Sequence, residues 1–148
     1  MVVPGQTLAT VLNSIDPDLS RFRAQGGKLI QYHGFSDPEV PPLTSINYFE
    51  SVVNFSGGLK RTQESYRLFM VPGMNHCKGG PGANVFDLLT PLVQWVEQDI
   101  APDRVIATHY VNNNPQQGVE FTRPLCSYPK EAVYNGGDPN KASNFACK

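Results

Sequence analysis

The chain has 148 residues, enough for one domain at most, and at 40% hydrophobic and 17% charged it reads as an ordinary globular sequence low in charge. Its formal net charge of -1 leaves no basic footprint for nucleic acid and no acidic tail. No apolar run approaches the length of a membrane span, and the start, Met1-Val2-Val3-Pro4-Gly5-Gln6, shows neither the basic nor the apolar region of a secretion signal.

Residues 1–27 read as a lead-in, with a turn and a short helical piece from Asp16 to Phe22 that Gly26-Gly27 ends. Lys28–His33 is a predicted strand, apolar at Leu29, Ile30 and Tyr32 and broken by Gly34. Phe35-Ser36-Asp37-Pro38 and Pro41-Pro42 are loop chemistry. Leu43–Asn54 places Leu43, Ile46, Phe49 or Glu50, and Val53 near one helical face, with Thr44 or Ser45 as candidate cap. Tyr66–Val71 is a second strand, stopped by Pro72-Gly73. After the loop Gly79–Gly82, a helix is predicted from about Asn84 to Asp99, capped by Asn84 with Asp87 three residues on. Its stripe is Val85, Leu89, Leu92 and Val96, and Pro91 predicts a kink or a restart capped by Thr90. Val105–Val111 is a third strand, and the chain beyond Asn112 reads as loop to the end.

The first two strands are joined through a helix, the pattern of a parallel βαβ unit. Each is followed at its carboxyl end by a candidate functional residue, where open α/β sheets hold ligands. Asp37 follows the first and His76 the second, 39 residues on. Acid before histidine is the chain order of the last two members of a Ser-His-Asp triad in an α/β-hydrolase. There the aspartate fixes the imidazole tautomer, and the histidine moves a proton between nucleophile and leaving group. The nucleophile, a serine on a Gly-x-Ser-x-Gly-like turn, is missing from the sequence. Against this stands the plainer reading that an aspartate after a strand-ending glycine forms only a turn. His33 and His109 lie in or beside strands and read as ordinary packed residues.

Three cysteines are an odd count, so an oxidised chain leaves one over. Cys126 and Cys147 bracket the tail, while Cys77 adjoins His76. Cys77 is open to four readings: nucleophile, metal ligand, buried thiol, or partner of a cysteine outside the chain. A lone His-Cys pair lacks zinc-site spacing, and no Cys-x-x-Cys is present. Asn54-Phe55-Ser56 is a glycosylation sequon.

The segments His33-Gly34-Phe35-Ser36-Asp37-Pro38, Pro72-Gly73-Met74-Asn75-His76-Cys77 with Gly79-Gly80-Pro81-Gly82, and Leu92-Val93-Gln94-Trp95 resemble the tannase/feruloyl esterase family. So does the tail, through Arg123-Pro124-Leu125-Cys126-Ser127-Tyr128-Pro129, Gly136-Gly137-Asp138 and Phe145-Ala146-Cys147. The likeness runs from about Asp16 to Cys147. It implies the C-terminal portion of an α/β-hydrolase fold, a partial parallel sheet with flanking helices and an incomplete core. Residues 1–148 would then be a fragment of the catalytic domain, without the nucleophile segment and the lid.

The resemblance further implies a secreted serine esterase acting on small phenolic esters, galloyl or feruloyl and related cinnamoyl. Asp37 would match the acid, His76 the base, and Cys126 with Cys147 a disulfide. Cys77 would match a cysteine that bridges to one beside the nucleophile, absent here. No cofactor is expected in this chain, and the family's calcium belongs to the lid. No nucleic acid or membrane partner is expected. Two rivals remain: a non-catalytic binding or structural module on the same fold, and a hydrolase using Cys77 with His76.

Overall fold

The computed structural model describes residues 12–148, so that part of the lead-in before Leu12 lies outside the described residues. A short helix α1 (Ser20–Ala24) precedes strand β1 (Leu29–Gly34). Helix α2 (Leu43–Ser56) and the single turn α3 (Leu59–Thr62) lead to strand β2 (Tyr66–Val71). β1 and β2 pair in parallel, from Leu29 opposite Tyr66 to Gly34 opposite Val71, so both strands end at the same level.

β2 is buried on both faces, the pattern of a strand covered by helices on each side. Tyr66 and Leu68 face α2 and pack with its Phe49 and Val52. Phe69 and Val71 face the other way, into a cluster with Met74, Ala83, Val105, Ala107 and Leu125. Trp95 of helix α4 (Leu89–Gln98) is buried, with the Arg67 guanidinium 5.7 Å from its ring and Lys28 Nζ 5.1 Å away.

The predicted start of α2 holds but its predicted cap does not, and the start of α4 moves. α2 begins at Leu43 after Pro42 with no side-chain cap. Thr44 donates from its hydroxyl to the Pro41 carbonyl, and the amides of Thr44 and Ser45 are taken by the carbonyls of Pro41 and Pro42. α4 begins at Leu89 and not at Asn84. Val85 is drawn off into a β-bridge with Thr108, and Asn84 bonds the glycine loop before it. Asp87 accepts the amides of Leu89 at 2.8 Å and Thr90 at 3.1 Å. Pro91 then falls in the first turn, where its missing N–H leaves no helical bond unmade.

The tail is the main correction. Instead of a loop, it holds β4 (Val119–Cys126), β5 (Ala132–Tyr134) and β6 (Phe145–Cys147). β3 (Arg104–Tyr110) pairs antiparallel with β4, so the third strand is not part of a parallel sheet. Just past β4, Ser127 forms an antiparallel bridge to Phe69, and the Tyr128 amide donates to the Leu68 carbonyl at 2.8 Å. The antiparallel pair is thereby stitched to the open edge of β2. β5 and β6 form an antiparallel pair, and a disulfide joins Cys126 to Cys147 with Cα atoms 5.5 Å apart.

Candidate active site

Parallel pairing in register brings the two loops after β1 and β2 side by side. Backbone bonds then tie one loop to the other: Phe35 N donates to Val71 O at 2.9 Å and Ser36 N to Met74 O at 3.0 Å. Gly34 makes this approach possible. A Cβ there would overlap the carbonyl oxygens of Met74 and Asn75, so only glycine fits between the loops.

The aspartate sits in a turn of its own making. Asp37 Oδ1 accepts the amides of Glu39 at 2.8 Å and Val40 at 2.9 Å, a side chain closing its own backbone turn. Oδ2 accepts from His76 Nδ1 at 2.8 Å. Only 4% of the Asp37 side chain is exposed, against 43% for His76. Burial of the carboxyl works against its charge. The amides of Val40 and Glu39, then the hydrogen bond and positive charge of His76, outweigh it and hold the carboxyl far below the usual range. The hydrogen bond to Asp37 and the aspartate's charge push His76 above its ordinary value, against a smaller opposing effect of burial.

The His76 loop is braced from behind. Asn75 N donates to Gly79 O at 3.1 Å, and Gly82 N to Gly73 O at 3.0 Å. The Asn84 side chain accepts from Gly79 N and donates to Gly82 O. Among the described residues, no hydroxyl or thiol hydrogen-bonds His76 Nε2; the Glu39 carboxylate lies 3.8 Å from it. His76 borders a cleft of about 300 Å³ that Tyr32, Val40, Thr44 and Cys77 also line.

Cys77 is exposed and free, not buried, and holds a positive φ of 61°. No hydrogen bond joins it to His76 among the described residues. His109 is buried, stacks on Phe121 and meets Glu120 at 3.4 Å, away from the acid. His33 is not merely packed. Its Nε2 lies 3.2 Å from Asp37 Oδ2, and its Nδ1 lies 2.6 Å from Ser45 Oγ. The sequence signal for it was faint. Gln31 and His33 alternate along β1, which turns two polar side chains toward α2 and not toward water. Among the described residues, no group of three or more His, Cys, Asp or Glu side chains is arranged to hold a metal ion.

The family model described as tannase and feruloyl esterase matches residues 1–148. The chain belongs to the tannase and feruloyl esterase family. It is 44% identical to an esterase of Xanthomonas campestris pv. campestris, over 98% of this chain and 30% of that protein. It is 48% identical to the mono(2-hydroxyethyl) terephthalate hydrolase of Piscinibacter sakaiensis, over 88% of this chain and 21% of that protein. Among solved structures it is similar to an esterase from Aspergillus oryzae, with a TM-score of 0.82, 33% identity, and coverage of 90% of this chain and 29% of that one. The feruloyl esterase B structure from the same organism gives a TM-score of 0.79 at 30% identity, covering 90% of this chain and 29% of its own. The chain therefore spans about 30% or less of the length of these relatives.

Proposed function

We propose that this chain is the acid-and-histidine part of a secreted serine carboxylic ester hydrolase, lying in the C-terminal portion of an α/β-hydrolase domain. The observation that carries this reading is the 2.8 Å bond between Asp37 and His76, made across the carboxyl ends of two adjacent parallel strands. His76 Nδ1–H donates to the carboxylate, which leaves Nε2 as the free base. A serine hydroxyl supplied from outside residues 1–148 gives its proton to Nε2 as its oxygen attacks the ester carbonyl. The imidazolium, stabilised by Asp37, then protonates the departing alcohol, and an acyl-enzyme remains. Water repeats the cycle and releases the acid. Substrates are small phenolic esters of the galloyl or cinnamoyl class.

Three further features support the reading. The exposed apolar side chains Leu89, Val93, Val96 and Ile100 follow one another along α4 and its end, a face suited to burial in a larger core. The disulfide fits an oxidising compartment. Cys77 is free and exposed on the His76 loop, accessible to a cysteine outside residues 1–148.

The test is a chimera in which this chain replaces the matching segment of the Xanthomonas esterase, assayed on methyl ferulate and methyl gallate. His76→Ala is expected to lower kcat on the order of 10⁶-fold, as loss of a triad member does. Asp37→Asn is expected to lower it about 10⁴-fold. The 148-residue chain alone is expected to show no turnover. Chimera activity indifferent to both substitutions, or turnover by the chain alone that His76→Ala abolishes, overturns the assignment.

A further inference from the structure

A carboxylate offers about four acceptor positions. In Asp37 three are filled by Glu39 N, Val40 N and His76 Nδ1. The fourth position faces His33, whose Nε2 lies 3.2 Å from Oδ2 while its hydrogen bond goes to the Val40 carbonyl. With 4% of the Asp37 side chain exposed, water has little access to take that place.

The protons along this arrangement are determined by their partners. His33 Nε2 hydrogen-bonds the Val40 carbonyl at 3.2 Å, with Asp37 Oδ2 as near but off the line of that bond. A carbonyl only accepts, so Nε2 carries the hydrogen. In the neutral ring Nδ1 then accepts, and its partner is the Ser45 hydroxyl at 2.6 Å. With its proton committed, Ser45 Oγ accepts from Gln31 Nε2 at 2.8 Å. The Gln31 carbonyl accepts in turn from the Tyr66 hydroxyl. Burial pushes the Tyr66 phenol up, so it stays a donor. Tyr66, Gln31, Ser45 and His33 are thus four donors in series, ending on the Val40 carbonyl in the turn that holds the acid. They come from β2, β1 and α2, so the relay reads out the packing of the whole βαβ unit.

We propose that His33 is a positioning residue for the acid: held as the Nε2–H tautomer by Ser45, it donates to the Val40 carbonyl and so braces the turn whose Val40 amide binds Asp37 Oδ1, which keeps the carboxylate in the orientation that His76 needs. The inference rests on reading Asp37 as the acid. A buried polar cluster that merely satisfied itself would not couple His33 to His76.

The test is long-range ¹H–¹⁵N NMR of the two imidazoles in the 148-residue chain, which needs no turnover. In the wild type, His33 is expected to show a protonated Nε2 and an unprotonated Nδ1. Its Nε2–H signal is expected to move upfield in Asp37→Asn, where a carboxamide replaces the carboxylate. His33→Leu is expected to speed solvent exchange of the His76 Nδ1–H about fivefold or more, the factor that one lost neutral hydrogen bond represents. His33→Gln, which keeps a donor, is expected to recover most of the protection. An Nδ1–H tautomer in the wild type overturns the proposal. So does an Nε2–H signal indifferent to Asp37→Asn, or a folded His33→Leu chain with unchanged exchange at His76. If His33→Leu does not fold, the wild-type tautomer and the Asp37→Asn shift still decide. An inactive chimera together with the expected spectra would leave the relay standing and remove the catalytic reading of Asp37.

Discussion

Two regions of this molecule hold their shape by different means. The Asp37–His76 corner is fixed by noncovalent bonds that converge from several elements: parallel strand ends, a turn closed by Asp37 itself, and loop amides crossing from one strand end to the other. The tail beyond Cys126 has little to bury. β5 is exposed throughout, and a disulfide closes the segment that contains it. The corner's geometry therefore depends on the packing of β1, β2 and α2, whereas the tail's order depends on the disulfide together with the β5–β6 pairing. A chemical site needs the first kind of construction, because a bonded network sets both position and proton state.

Removing the link is expected to be the more costly change to the chain as a whole. The double variant Cys126→Ser, Cys147→Ser should lose about 3 kcal/mol, the chain-entropy value for a loop of this size, read as a lower thermal midpoint. The His76 resonances should not move. A displaced His76 signal in that variant would show that the two regions are coupled.

Gly34→Ala attacks the corner instead. The new methyl must push the Met74–Asn75 backbone away, at about 1–3 kcal/mol for forced overpacking. Here the His76 signals should change and the disulfide should remain. An alanine variant with wild-type stability and wild-type His76 signals would mean that the loops do not meet as described.

The smallest effect expected is a pH dependence confined to the corner. Asp37 is held below its unfolded value, so its contribution is present above about pH 4 and is lost as pH falls toward the folded value. His76 is held above its unfolded value, so its contribution is complete below about pH 6.5 and is lost as pH rises through the folded value. Thermal midpoints measured across this range should therefore decline on both sides in the wild type. The part of the decline that belongs to the pair should be missing from Asp37→Asn.

How much of this was legible beforehand follows the same division. The β1–α2–β2 unit announces itself locally, through short apolar runs that Gly34 and Pro72-Gly73 cut off, so the level of Asp37 and His76 followed from pattern alone. The tail hid its strands because Gly118, Pro124 and Pro129 punctuate it and Glu120 and Arg123 interrupt its apolar residues. β4 exists because β3 pairs with it, from Arg104 opposite Cys126 to Tyr110 opposite Val119, and such pairing is not written in either segment. The start of α4 was misplaced for a similar reason: a distant strand claims Val85. His33 was read as an ordinary packed residue because its partners Ser45 and Asp37 meet it only after the unit has folded.

The most direct measurement is the titration midpoint of the His76 imidazole, followed by NMR in the wild-type chain and in Asp37→Asn. If the two side chains form the preassembled pair described, the wild-type midpoint lies above the ordinary histidine value and falls back toward it in the variant. Equal midpoints in the two proteins would show that Asp37 and His76 do not act on one another, and the acid–base assignment would fall with them.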